Sequence, residues 1–182
     1  MAFHSKLGKA IQAAGVLLRG EASSRMSRLR LIKLLYIADR ESMRETGRPI
    51  TGDRVVAMEH GPVLSGVYDC IEGECPQLLE WEQFFVSDGR DVLMKEKPPN
   101  DELCRYEIET LQRVSRERVD KSDWDVTEET HRYPEWKDPG QTSKPIPFED
   151  ILRAVGQGNH ADRILREAAG YAYVERVLGG DG

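Results

Sequence analysis

One stretch constrains this fold more than any other: Arg28 to Thr46, RLRLIKLLYIADRESMRET, bracketed by residues that start and stop a helix. Ser27 suits the N-cap, where a hydroxyl takes up one of the unpaired first-turn N–H groups. Gly47 is a natural residue to leave the helix in a left-handed conformation, and Pro49 prevents its resumption. Leu31, Leu34, Leu35 and Ala38 recur at helical spacing on one face, and Ile32 and Tyr36 widen the apolar stripe. About 19 residues at 1.5 Å each give roughly 28 Å, enough for the central helix of a small domain.

The other elements are shorter and arrange themselves around it. Leu7, Ile11, Ala14 and Leu18 mark a first helix from Phe3 to Arg19, stopped by Gly20. Arg54 to Met58 reads as extended or irregular, and His60-Gly61-Pro62-Val63 breaks the chain because proline fixes φ and biases its predecessor away from helix. Ser65 suits the cap of a short helix through Ile71, ended by Gly73. The clearest β signal is WEQFFVS and RDVLMKE around Asp88-Gly89, a favoured two-residue turn. That register sets Phe85 opposite Val92, Phe84 opposite Leu93 and Glu82 opposite Lys95. Further helices are expected from Asp101 toward Arg118, from a capping box at Ser122 to His131, from Pro147 to Val155, and from Ala161 to Leu178 capped by Asn159. Tyr133 to Pro147 reads as an ordered surface loop. The expected fold is mainly α: a compact helical domain with one small β-hairpin over residues 1–178, and a flexible tail at 179–182.

Composition removes several function classes. At 182 residues, 39% hydrophobic and 32% charged, the chain matches one globular domain with enough core to need no staple. No apolar run approaches the ~18 residues of a membrane span. Arg19 closes the N-terminal apolar run without a cleavage site, against a signal peptide. Three cysteines, Cys70, Cys75 and Cys104, are too few and odd in number for a secreted disulfide framework, so the expected home is a reducing cytoplasm. The net charge of −6 splits unevenly: residues 1–60 carry +5 and the remainder −11. Such an asymmetry reads either as a bipolar surface open to a partner or as two faces that neutralise each other in the fold.

The chemistry-bearing residues do not assemble into a familiar site. The histidines are His4, His60, His131 and His160, with no spacing that puts two on one helical face. A metal-dependent hydrolase is conceivable from His60, His131 and Asp39, with one coordination position left for water. Cys70 and Cys75 lack the second close pair of a zinc ribbon and read equally as small core hydrophobes. No nucleophile elbow, phosphate loop or dinucleotide-binding run is present. The basic cluster Arg25, Arg28, Arg30, Lys33, Arg40 and Arg44 raises the alternative of DNA binding, as an operon autoregulator. Interleaved Asp39, Glu41 and Glu45 would cancel much of the field that phosphates require. Nucleic acid is thus an unfavoured partner, and the expectation is no catalytic residue, no metal and no cofactor.

The central helix and the segments after it resemble the Panacea domain, the family of SocA-like antitoxins and phage-associated relatives. The resemblance is carried by Lys33-Leu34-Leu35-Tyr36-Ile37-Ala38-Asp39-Arg40, Thr46-Gly-Arg-Pro-Ile-Thr-Gly-Asp53 and Ala57-Met-Glu-His-Gly-Pro-Val63, with Ser65 and Tyr68-Asp69 behind. Thr130-His131, Pro134 and Trp136 are similar to a downstream family segment, and Met58 stands where many members carry tryptophan. The resemblance implies a mainly helical antitoxin domain of a type II toxin–antitoxin pair, without enzymatic activity. It implies a cognate toxin, encoded by an adjacent gene, bound by direct protein contact, and adaptor delivery of that toxin to an AAA+ protease. Leu34, Leu35, Gly61, Pro62 and Val63 read as structural, and Tyr36 and Tyr68 as buried rings with paired hydroxyls. Lys33 belongs to the same structural motif. Arg40, Arg44, Arg48 and Trp136 are the candidate contacts, while His60 and His131 read either as structural histidines or as contact residues. Oligomeric state is not legible.

Overall fold

The computed structural model describes residue 3 and residues 7–178. His4 and the rest of the expected helical turn at residues 4–6, together with the tail at 179–182, lie outside the described residues. Among the described residues, eight helices and six strands succeed one another. The N-terminal helix α1 is Leu7–Arg19, and the central helix α2 is Arg28–Thr46. Both ends of α2 behave as their residue types dictate. Ser27 Oγ accepts from the Arg30 N–H at 3.1 Å, and Gly47 adopts φ 77° while its N–H reaches the Met43 carbonyl.

The surroundings of α2 differ from a one-sided stripe. Every residue from Leu31 to Asp39 is buried, because α1, α5 (Arg105–Arg116), α6 (Asp123–His131) and α7 (Phe148–Ala154) enclose it with the strand β3 (Gly61–Leu64). Each buried leucine or isoleucine here contributes roughly 1.5–3 kcal/mol. The enclosure also draws Lys33 and Asp39 into the interior. The final helix α8, Ala161–Leu178, comes after a short 3-10 turn at Gly158–His160, where an Asn159 cap was expected. It buries Ala161, Ile164 and Ala168 and exposes Tyr171.

The single expected hairpin becomes two three-stranded antiparallel sheets. In one, β1 (Arg25–Ser27) adds to β5 (Asp91–Met94), which pairs with β4 (Phe85–Asp88). In the other, β2 (Val55–Met58) lies between β3 and β6 (Lys144–Pro145). The WEQF segment is not strand: α4 spans Leu78–Phe84, with Trp81 buried on its inner side. The turn falls at Gly89-Arg90, so Phe85 opposes Met94 and Ser87 opposes Val92. This is a two-residue slip from the expected register. An even slip preserves the side of the sheet each residue faces, so Phe85 and Val92 are both buried as expected. The Glu82–Lys95 pair is lost, and the Lys95 N–H bonds the Phe84 carbonyl instead.

Two buried aspartates fasten the loop after α2. Asp39 accepts from the backbone N–H of Ile50 at 3.0 Å and Thr51 at 2.9 Å, and from the Thr51 hydroxyl at 2.6 Å. Asp53 accepts from Gly66 N–H at 3.1 Å and Val67 N–H at 3.0 Å, the first turn of α3 (Ser65–Glu72). Ser65 is therefore not the cap, because a carboxylate about a dozen residues upstream satisfies those donors. Ser65 Oγ accepts from Arg54 Nε instead. The expectation of reduced thiols is also corrected. Gly73, at φ 82°, turns the chain back at the end of α3, and Cys70 and Cys75 form a disulfide with Cα atoms 4.6 Å apart. Cys104 is free and exposed.

Candidate partner-binding site

The residues that carry the family resemblance converge although they are widely separated in sequence. Lys33, on α2, is wholly buried, and its Nζ donates to the Pro62 carbonyl at 2.9 Å. Loss of hydration lowers its amine from 10.5 to about 7, since a buried charge without a counter-ion is costly. Gly61 makes the approach possible. At φ 92° it lies where a Cβ would stand 2.6 Å from Thr130 Oγ1, 2.9 Å from Lys33 Nζ and 3.1 Å from His131 Cδ2. Only a residue without a side chain fits both that space and that conformation.

His131 and Trp136 close the other side. Their rings stack at 4.4 Å with an interplanar angle of 16°, and Trp136 Nε1 donates to the Met58 carbonyl at 3.2 Å. Met58 thus holds the tryptophan through its backbone. His131 Nδ1 faces Glu128 at 3.2 Å, while its Nε2 is buried with no partner among the described residues. His60 lies on the exposed turn between β2 and β3 and does not join this stack.

A polar chain runs behind the cluster. Glu135 accepts from Tyr36 Oη at 2.6 Å and Arg40 Nε at 2.6 Å, and the Arg40 guanidinium lies 3.9 Å from the centroid of the Tyr133 ring. Tyr133 Oη donates to Glu129 at 2.9 Å, which also receives Arg118 and Lys121. Burial opposes ionisation of Glu129, yet these donors outweigh it and hold its carboxyl down at about 2. Burial, with Glu135 alongside, pushes the Tyr36 phenol well above its ordinary value. Glu135 was not among the sequence candidates. Its only sequence signal is its place in the Pro134-Glu-Trp segment, which does not reveal that it binds two residues nearly a hundred positions earlier.

In front of Lys33 lies a groove of about 630 Å³. The start of α2, the β2–β3 turn, α3 and the start of α6 form its walls, and Ile32, Met58 and Val63 supply apolar lining. Trp124, which no sequence signal singled out, stands 57% exposed at its edge. Tyr68 lines it as well, partly buried rather than enclosed.

The sequence profile described as antitoxin SocA-like, Panacea domain, matches residues 31–137, well over half of the chain. The chain belongs to the SocA-like antitoxin (Panacea domain) family. Searches of curated proteins and of solved structures gave no match. The matched segment contains the entire Lys33–Gly61–His131–Trp136 cluster and most of the groove, whereas α1, α7 and α8 fall outside it.

Within this Panacea domain the candidate arginines have different fates. Arg40 is largely buried against Glu135 at 2.6 Å, so it braces the domain. Arg44 is half-exposed and paired with Glu41 and Glu45. Arg48 is exposed and lies over the Tyr171 ring at 4.8 Å. Arg25, Arg28 and Arg30 pair with Asp91, Glu72 and Asp123. The basic N-terminal third is therefore neutralised mainly by acids from later in the chain. Asp39 spends its carboxylate on Ile50 and Thr51, away from the His131–Trp136 stack, so the hydrolase trio is not assembled. Among the described residues no group of three or more His, Cys, Asp or Glu could hold a metal, and no helix is long and apolar enough to cross a membrane.

Proposed function

We propose that this chain is the antitoxin of a type II toxin–antitoxin pair, neutralising its toxin by direct protein contact without catalysing a reaction. The observation that carries this reading is the family match over residues 31–137, the segment that builds the buried motif cluster and the groove. A neutralising contact of ordinary size covers about 1,600 Å² in total and rests on a few aromatic or arginine anchors. Exposed Trp124, partly buried Trp136 and the exposed Arg44 and Arg48 all lie within the matched segment. The toxin is expected from a gene adjacent to this one, in the cytoplasm.

Inducing the neighbouring gene product alone should arrest growth, and co-expression with this chain should restore it, with both proteins recovered in one complex. A non-toxic neighbour, or a toxic one that neither binds nor is suppressed, would refute the proposal. The adaptor extension has its own readout. The toxin's half-life should shorten in the presence of the antitoxin only in cells that retain the AAA+ protease.

A further inference from the structure

We propose that Cys70 and Cys75 are a reversible thiol–disulfide switch, closed by a small disulfide such as oxidised glutathione and opened by a thiol, without unfolding of the domain. The inference goes beyond the antitoxin reading and does not depend on it.

Three observations support it. First, the disulfide is not what holds its surroundings in place. It closes only the short ring of residues 70–75, and the entropic gain from a cross-link grows with the length of the loop it closes. The flanking helices are fixed by other means. Asp53 holds the start of α3 through the Gly66 and Val67 N–H groups. At the end of α3, the Gly73 N–H reaches the Cys70 carbonyl at 3.2 Å and the Glu74 N–H reaches the Asp69 carbonyl at 2.7 Å. α4 is anchored by buried Trp81, whose ring lies 4.5 Å from that of Phe85. Second, those backbone bonds position the two cysteines independently of the sulfur–sulfur bond. The Cα atoms stand 4.6 Å apart, within the usual span of a disulfide. The opened thiols therefore stay at high effective concentration and reclose readily. Third, a reagent has a route to one sulfur. Both cysteines are buried, but Cys75 lies in a turn whose neighbours Glu72, Gly73, Glu74, Pro76 and Gln77 are all exposed. A small displacement of that turn uncovers Cys75, while Cys70 remains beneath α3. An incoming thiolate attacks Cys75 Sγ, forms a mixed disulfide and expels the Cys70 thiolate. A second thiolate attacks the outer sulfur of the mixed disulfide, releasing the small disulfide and the Cys75 thiolate. Two electrons thus pass to the pair and each thiolate takes up a proton; closure reverses both steps. In the cytoplasm proposed as this chain's home, such a bond belongs to redox sensing more than to permanent stapling. Opening it frees the exposed corner between α3 and α4 while both helices stay docked.

The test uses the full chain carrying Cys104→Ser, which removes the free, exposed thiol. The protein is equilibrated in glutathione buffers from fully reduced to fully oxidised. Thiols are then trapped with a maleimide and counted by mass, and each sample is melted and digested with a glutamate-specific protease. The number of labels should pass from two to none and return when the buffer is reversed, with no glutathione adduct retained. Reduction should lower the melting temperature by no more than about 10 °C, and cleavage after Glu72 and Glu74 should accelerate several-fold. In a chain that also carries Cys70→Ser and Cys75→Ser, cleavage should not respond to the buffer. A pair that resists reduction in the folded protein, or that stays reduced or ends as glutathione adducts in oxidising buffer, would overturn the proposal. Loss of the folded transition on reduction would make the bond a structural staple and overturn it as well. So would equal cleavage of the two forms, or a buffer response that persists in the serine variant.

Discussion

Replacing Lys33 by methionine should invert the order of stability of the two proteins between neutral and alkaline pH. Lys33 is wholly buried, and its amine lies at about 7 instead of 10.5. Between those two values the unfolded chain holds a proton that the folded one has released, so folding becomes more favourable as pH rises. Below pH 7 both states carry the proton and the folded state bears the full cost of burying it. At about 1.4 kcal/mol per unit, that cost is on the order of 4–5 kcal/mol. Above pH 10.5 it has vanished. Methionine removes this cost at every pH but leaves the Pro62 carbonyl without its donor, a loss of roughly 1–3 kcal/mol. Lys33→Met should therefore be the more stable protein at pH 6 and the less stable one near pH 10. The gap should close by about 1.4 kcal/mol per unit in between. Urea unfolding followed by tryptophan fluorescence at pH 6, 7.5, 9 and 10 measures it. Asp39, His60, His131, Tyr36 and Tyr133 are common to both proteins and cancel in the difference. Parallel stability curves would show that Lys33 keeps an ordinary amine and that its burial carries no such cost.

Two further perturbations probe the same cluster and the polar chain behind it. Gly61→Ala places a methyl 2.6 Å from Thr130 Oγ1 and 2.9 Å from Lys33 Nζ at a φ of 92°. Strain and overpacking together should cost about 2–4 kcal/mol, and a loss under about 1 kcal/mol in urea unfolding would mean that the hairpin yields without resistance. Glu129 is held at about 2 against an ordinary 4.5, so its stabilisation is present above pH 4.5 and is lost as pH falls through 2. After discounting for its partial exposure, Glu129→Gln should lower stability by roughly 1–2 kcal/mol at pH 7, with the gap closing in acid. An equal gap at pH 7 and pH 2.5 would contradict the ion-pair account.

Local signals were legible wherever one residue type satisfies a nearby backbone need. Ser27 and Gly47 bound α2, and Ser122 starts α6 with the capping box its residues predict. The strand pairs were less legible for a physical reason. WEQFF is apolar enough to read as a strand, but Trp81 finds its burial as part of a helical turn. The third strands, β1 and β6, are two or three residues long and have no periodicity to detect. Gly89 pointed to the hairpin turn but not to which side of it the turn extends, hence the two-residue slip. The clustering of Arg40 with Glu135, or of His131 with Gly61, had no local signal, since each contact joins residues some 70 to 95 positions apart.

Caps, periodicity and motif spacing are properties of neighbours along the chain. For that reason the central helix, its two ends, a mainly helical fold and membership of an antitoxin family could all be read from the residues alone. What those motif residues do was settled by packing. Enclosing α2 on every side turned Lys33 from one cation of a basic helix into a buried donor to Pro62, and turned Arg40 from a candidate contact into a brace. Packing also resolved the split between +5 and −11: folding brings the acids of the later segments against the early arginines, so most of that asymmetry is spent inside the molecule. Charge pairing depends on distance in space, and a sequence orders residues only along the chain.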